Sequence, residues 1–284
     1  MITEYAWAKL NLSLDVIGLR EDGYHDVSMI MQSVDLVDTI HMQEETGRSW
    51  ELTCDTEGIP CDSSNLCWKA ASFFCEETGY DPNGLRIELY KQIPSQAGMG
   101  GGSSDAAAVL RVLNRACESP LTNTELMWLA GAVGSDVPFC LYGGTAFAQG
   151  KGDELERLSP LPSCYILICT PHISISTPEL YHMLDLEDEP DVPDTTGLLQ
   201  GIRSGDLDQV GVCMKNVFQP LVSRMYPEIQ QIQEVMDRNG SIGSSMSGTG
   251  PTMFGLYRSK SAALRAKTIL ENTYPGRVWL TKPI

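Results

Sequence analysis

The sequence predicts an α+β protein built as two lobes, and two observations carry that expectation. Stretches that alternate apolar and polar residues are interspersed with capped helical stretches, but not in the strict β-α-β rhythm of a doubly wound sheet. The chain also changes character near residues 150–160, where GKGDELERLSPLPS precedes the apolar run CYILIC at 164–169. A boundary there gives an N-terminal lobe of residues 1–155 and a C-terminal lobe of residues 156–284, each long enough to enclose a core.

The elements follow in order. LNLSLDVIGL (10–19) alternates as a half-buried strand does, DGYHD (22–26) reads as a turn, and VSMIMQSVDLVDTIHM (27–42) as a second strand. SSNLCWKAASFFCEETG (63–79) has serine caps, an apolar stripe and a closing glycine, the marks of a helix. GLRIELYKQIP (84–94) alternates again and stops at Pro94. SSDAAAVLRVLNRA (103–116) is a helix of strong formers, and TNTELMWLAGAVG (122–134) carries a capping box from Thr122 to Glu125 with Gly134 at its end. Beyond the boundary, CYILIC reads as a buried strand and YPEIQQIQEVMDRNG (226–240) as a helix with Pro227 in its first turn. SIGSSMSGTGPTMFGLY (241–257) is a glycine- and serine-rich loop leading into a strand. SKSAALRAKTILEN (259–272) is a helix, and RVWLTK (277–282) a last strand.

A net charge of −17 lacks the basic footprint of nucleic-acid binding and disfavours an anionic membrane surface. No run approaches the roughly 20 apolar residues of a membrane span, and Glu4, Lys9 and Asp15 interrupt the first apolar stretch, unlike a signal peptide. The nine cysteines form no CxxC pair, and several sit in apolar runs. Their odd number suits reduced thiols, so a cytoplasmic protein is expected. Six carboxylates crowd into DLEDEPDVPD (185–194), which reads as a solvated loop.

The chemistry concentrates in AGMGGGSSDAAAV (97–109), where four glycines fall within five residues just before a helix. Missing Cβ atoms let a phosphate approach the backbone, and the free N–H groups of a helix start point at it. The Walker pattern G-x4-G-K-[ST] fails because no lysine follows the glycines, and GTAFAQGKG (144–152) misses it by one residue and by its last position. The dinucleotide pattern G-x-G-x-x-G fits Gly98 and Gly100 but finds Ser103 third.

IPSQAGMGGGSSDAAAV resembles the second motif of the GHMP kinases, the family of galactokinase and of homoserine, mevalonate and phosphomevalonate kinases. AKLNLSLDVIGLREDGYH (8–25) resembles its first motif, MSGTGPTMF (246–254) its third, and GSDVPF (134–139) the segment with its catalytic aspartate. The long GGGSS form resembles the branch that phosphorylates a diphosphocytidyl sugar alcohol on the non-mevalonate route to isoprenoid precursors. The resemblance spans nearly the whole chain. It implies a ribosomal-protein-S5-like N-terminal lobe that binds ATP and a ferredoxin-like C-terminal lobe that binds the acceptor. It also implies magnesium accompanying ATP, and a monomer or homodimer acting on a small molecule.

By that resemblance Asp136 is the general base, although between Ser135 and Pro138 it could equally cap a helix. Lys9 is the catalytic lysine; on an alternating strand it could also be an ordinary exposed side chain, yet Lys9, Asn11 and Ser13 share one face. Pro94, Ser95, Gln96, Ala97, Gly98, Met99, Gly100, Gly101, Gly102, Ser103 and Ser104 form the ATP loop. Asn65 and Leu66 contact the adenosine, unless Asn65 caps the 63–79 helix. Asn11, Tyr24, His25, Thr177 and Tyr181 bind the acceptor, with Tyr24 and Tyr181 stacking on its base; packing or a turn is the plainer reading of each ring. Gly248 and Thr249 bring backbone donors to its phosphates, unless they only form a hairpin turn. Asp105 stands where some members carry Asn, and a carboxylate beside a triphosphate needs a cation or a cap to face.

Another kinase of the family would share the loop and lobes but would not need the nucleobase segments DGYH and ISTPELY (175–181). A catalytically dead binding protein would not need Lys9, Asp136 and an unbroken GMGGGSS. A redox or metal protein would need a ligand spacing that the cysteines lack.

Overall fold

The computed structural model describes residues 1–187 and 189–284, so Asp188 of the acidic run lies outside the described residues. The chain divides into two compact units: residues 1–8, 36–95 and 100–143 in the first, and 9–35, 96–99 and 144–284 in the second. Two long strands, β1 (Ile2–Leu19) and β2 (His25–Glu44), contribute to both. Both extend past their expected limits. β1 reaches back to Ile2 through the EYAWAK stretch.

In the first unit, β3 (Glu51–Cys54) pairs parallel with β4 (Leu85–Tyr90), and β4 pairs antiparallel with Thr39–Glu44 of β2. Four helices complete it: α1 (Leu66–Thr78), α2 (Gly101–Ala116), α3 (Asn123–Val133) and α4 (Val137–Tyr142). Ala70 and Ala71 of α1 share a core with Ala106, Ala107 and Ala108 of α2, and Phe74, Ile40 and Ile87 fill it. Small side chains at that contact let two helix backbones come close while the larger residues supply the buried apolar area. Gly79 ends α1 at φ 69°, and the capping box of Thr122 and Glu125 opens α3.

In the second unit, β5 (Thr145–Gln149) pairs with Met29–Gln32 of β2 and with β6 (Glu154–Arg157), and β8 (Lys215–Asn216) runs parallel to β1 at Ser13 and Leu14. A separate antiparallel sheet has the order β11-β7-β10-β9, formed by β7 (Tyr165–Pro171), β9 (Gly243–Met246), β10 (Met253–Tyr257) and β11 (Gly276–Thr281). Ile166, Leu167 and Ile168 of β7 are fully buried, as a central strand requires. The unit's helices are α5 (Thr177–Leu184), α6 (Thr195–Ser204), α7 (Leu207–Cys213), α8 (Gln219–Met225), α9 (Pro227–Arg238) and α10 (Lys260–Thr273). The Tyr257 hydroxyl donates to the Met236 carbonyl at 3.1 Å, fixing α9 on β10.

No helix is long and apolar enough to cross a membrane among the described residues. None of the nine cysteines forms a disulfide. Burial pushes Cys164 and Cys169 up to about 12 and Cys75 up to about 11, so these thiols stay protonated.

Candidate active site

The glycine loop begins in the second unit. There the Lys9 N–H donates to the Met99 carbonyl at 3.0 Å, and the Ser247 hydroxyl donates to the Gly98 carbonyl at 2.8 Å. Gly98 sits at φ 73°, and a Cβ on it would lie 2.1 Å from the Ser247 carbonyl oxygen. Only glycine fits that position. The Ser247 hydroxyl also accepts the Asn11 N–H at 3.2 Å, and Gly248 lies against Gly98 and Asn11. Asn216 holds the same turn from below, donating its amide to the carbonyls of Met246 (2.8 Å) and Gly248 (2.7 Å). The structure therefore brings together the loop, the Lys9–Asn11 strand and the SGTG turn, three segments far apart in the sequence.

Lys9 is buried, not the exposed strand lysine that its pattern also allowed. Its ammonium donates to Asn11 Oδ1 at 2.7 Å, and the Asn11 amide lies 3.2 Å from the Met29 sulfur. Asn11 and Ser13 are fully buried on the same face.

Farther along the second unit, His25 Nε2 lies 2.9 Å from Asp185 Oδ1. The His25 ring faces the Tyr181 ring at 4.7 Å, tilted by 36°, and Tyr181 rests edge-on against Phe218 at 4.8 Å. Tyr24 is exposed, with the Lys151 ammonium 5.2 Å above its ring. Thr177 and Thr249 join by their hydroxyls at 2.9 Å, linking α5 to the SGTG turn. Most of the described residues of the acidic run are exposed, as expected of a solvated loop, and several of its carboxylates are paired. Asp185 meets His25, Glu187 pairs with Arg224, Asp191 with Lys215 at 2.7 Å, and Asp194 caps α6 through the Gly197 N–H.

In the first unit α2 starts at Gly101, two residues earlier than the sequence implied. Gly100, at φ 67°, is the cap residue and offers no side-chain hydrogen bond. Gly101 is buried against Ile93 while Gly102 is exposed, so the glycines themselves form the first helical turn. The helix start thus keeps uncapped N–H groups, and its dipole favours an anion there. Ser104 turns inward, donating to the Trp7 carbonyl at 2.7 Å, and Ser103 is half-buried. Pro94 is half-buried, Ser95 and Gln96 exposed, and Ala97 and Met99 buried. Asn65 caps α1, accepting the Cys67 N–H at 2.9 Å, and Leu66 reaches toward Gly102.

Asp105 faces away from the loop, into a buried cluster. Lys91 donates to Asp38 and, at 2.5 Å, to Asp105. Asp38 Oδ1 in turn accepts the N–H groups of Gln92 and Ile93. One cation thus ties the strand that enters the loop to the helix that leaves it. Asp105 Oδ1 has no partner and is buried. Burial pushes the Asp105 carboxyl up to about 7, against the pull of Lys91. Burial alone would lower Lys91, but its two carboxylates hold it above the usual lysine range.

Asp136 is half-buried at the cap position of α4, yet its carboxylate makes no capping hydrogen bond. Ser247, Asn216, Lys91, Asp38 and Asp185 are the residues that sequence reading missed. Ser247 lay inside a quoted motif. Asp185 opens the acidic run, while Asn216, Lys91 and Asp38 stand alone in strands or loops, and no spacing marks them.

Two family models match this chain, GHMP kinases N terminal domain over residues 65–144 and GHMP kinases C terminal over 198–276. The chain is 41% identical to a 4-diphosphocytidyl-2-C-methyl-D-erythritol kinase of Alkaliphilus metalliredigens, covering 96% of each. It is also 41% identical to the kinase of the same name in Bacillus cytotoxicus, over 95% of this chain and 94% of that one. A crystal structure of 4-(cytidine 5'-diphospho)-2C-methyl-D-erythritol kinase superposes with a TM-score of 0.83 at 32% identity, covering 99% of both chains. Homoserine kinase from Cytophaga hutchinsonii shares the fold at a TM-score of 0.75 and 20% identity, over 98% of this chain and 94% of that one. With its loop, SGTG turn and both lobes matched across almost its whole length, the chain belongs to the 4-diphosphocytidyl-2-C-methyl-D-erythritol kinase family of the GHMP kinases.

Proposed function

We propose that this protein transfers the γ-phosphoryl group of ATP to the 2-hydroxyl of 4-diphosphocytidyl-2-C-methyl-D-erythritol, giving the 2-phosphate and ADP in cytoplasmic isoprenoid-precursor synthesis by the non-mevalonate route. The observation that carries this reading is the uncapped start of α2 behind Gly98 and Gly100, both at positive φ. Backbone there is open to phosphate oxygens, and no side chain competes for the helix N–H groups. The loop residues Pro94 to Ser104 hold the triphosphate, with Asn65 and Leu66 beside the adenosine. The N-terminal lobe, residues 1–155, takes the nucleotide and the C-terminal lobe, residues 156–284, the acceptor.

A hydroxyl is a weak nucleophile, so phosphoryl transfer needs a base at its proton and positive charge near the moving phosphoryl group. Asp136 takes the proton from its half-buried place at the start of α4. Lys9 supplies the charge and lowers the hydroxyl's pKa, its ammonium steadied by Asn11. Tyr24, His25 and Tyr181 hold the cytosine, and Thr177, Gly248 and Thr249 the adjoining phosphates. Magnesium enters with ATP. When bound, it would neutralise charge on the phosphates as the γ-phosphoryl group moves.

ADP release with three acceptors tests the reading: the diphosphocytidyl sugar alcohol, homoserine and mevalonate. Turnover of the first alone is expected. Turnover of homoserine or mevalonate alone would overturn it.

A further inference from the structure

The first carboxylate of the acidic run ends beside the proposed nucleobase residues. Asp185, the residue that closes α5, lies one helical turn after Tyr181, and its Oδ1 is 2.9 Å from His25 Nε2. The His25 side chain is largely buried, whereas Asp185 is exposed. The ring is therefore held at three points: the backbone of β2, the Tyr181 face at 4.7 Å, and the Asp185 carboxylate. Phe218 supports Tyr181 from its other side. His25 Nδ1 makes no hydrogen bond among the described residues.

A carboxylate only accepts, so a neutral imidazole meeting Asp185 at Nε2 carries its proton there and leaves Nδ1 as an acceptor. An acceptor at that position suits an exocyclic amine and repels a carbonyl oxygen. Cytosine offers the amine where uracil offers the carbonyl. We propose that Asp185 is a positioning residue that acts through His25, fixing the tautomer that selects a cytosine-bearing acceptor over its uracil counterpart. This rests on the proposed function, because it presumes that the base lies beside His25. It gives the first residue of the acidic run a task. Glu187, Asp191 and Asp194, each bonded elsewhere, hold the segment that carries it.

An exposed ion pair contributes little to folding, so changing Asp185 leaves the protein folded and isolates its effect on recognition. The test compares the wild type with Asp185→Asn, Asp185→Ala and Asp185→Glu on the diphosphocytidyl acceptor and on its diphosphouridyl analogue. In Asp185→Asn the amide can donate to Nε2 and so permits the opposite tautomer. The KM for the cytidyl acceptor is expected to rise about tenfold, and the cytosine-over-uracil preference in kcat/KM to fall by about tenfold or more. The KM for ATP and the melting temperature should stay at wild-type values, and Asp185→Glu should recover part of the preference. A purely structural role would shift the melting temperature and both substrates together. If Asp185→Asn and Asp185→Ala keep the wild-type KM and preference, the inference is wrong while the proposed function stands. If the wild type phosphorylates neither acceptor, both fall.

Discussion

Asp105 is the residue whose environment most changes its meaning. Its carboxylate, one turn into α2, points into the core and meets Lys91. Its carboxyl titrates near 7 when folded, against about 4 in an unfolded chain. The folded protein therefore binds the extra proton between those values. Stability from that proton is fully present below about pH 4 and is lost as pH rises toward 7. Asp105→Asn should remove this slope from melting temperature against pH, and an unchanged slope would show that Asp105 does not titrate there. Lys91→Met instead leaves two carboxylates buried without their cation, at a cost of about 3–5 kcal/mol, readable by urea unfolding. Asp136→Asn addresses the chemistry. With the proposed base gone, kcat is expected to fall by roughly 10² to 10⁴ while the KM for ATP stays nearly constant. Comparable turnover would take Asp136 out of that role.

The glycine loop, as an element, depends on one close approach. Gly98 lets backbone meet backbone at Ser247, and a methyl group there would both clash and strain a residue at φ 73°. A strained position of this kind costs about 1–3 kcal/mol, so Gly98→Ala is expected to displace the loop and raise the KM for ATP about tenfold or more. Unchanged ATP kinetics would mean that the loop does not hold the nucleotide. Much of this element was legible in the sequence. The glycine cluster, the helix formers after it and the Thr122–Glu125 capping box each act locally, and local signals survive in one dimension. The start of α2 was harder to read, because glycines are poor helix formers and the packing of Gly101 against Ile93 is a tertiary contact that no local signal carries. α5 to α8 were not read either. Each is short, and in α5 and α8 a proline sits in the first turn, so periodicity had little length in which to appear.

At the scale of the molecule, the two lobes and the α+β class followed from element order. The compact units, however, interleave along the chain, with β1 and β2 each serving both. No change in composition marks such a division, since a strand that passes from one unit to another keeps its alternation. The candidate site was legible where motifs name residues that the fold brings together, as with Lys9, Asn11 and the SGTG turn. It was illegible where a lone residue acts through its fold neighbours, as Asn216 does beneath Gly248. The net charge of −17 makes the glycine loop and Lys9 local exceptions in a negative field, so the positive potential for an anionic substrate has to be made within the site. Phosphorus NMR of the reaction with ATP and the diphosphocytidyl sugar alcohol tests the central claim most directly. The account predicts a new phosphomonoester signal growing in step with ADP while the acceptor's own diphosphate signals persist. Loss of those diphosphate signals, or ADP formation with inorganic phosphate as the only new species, would contradict it.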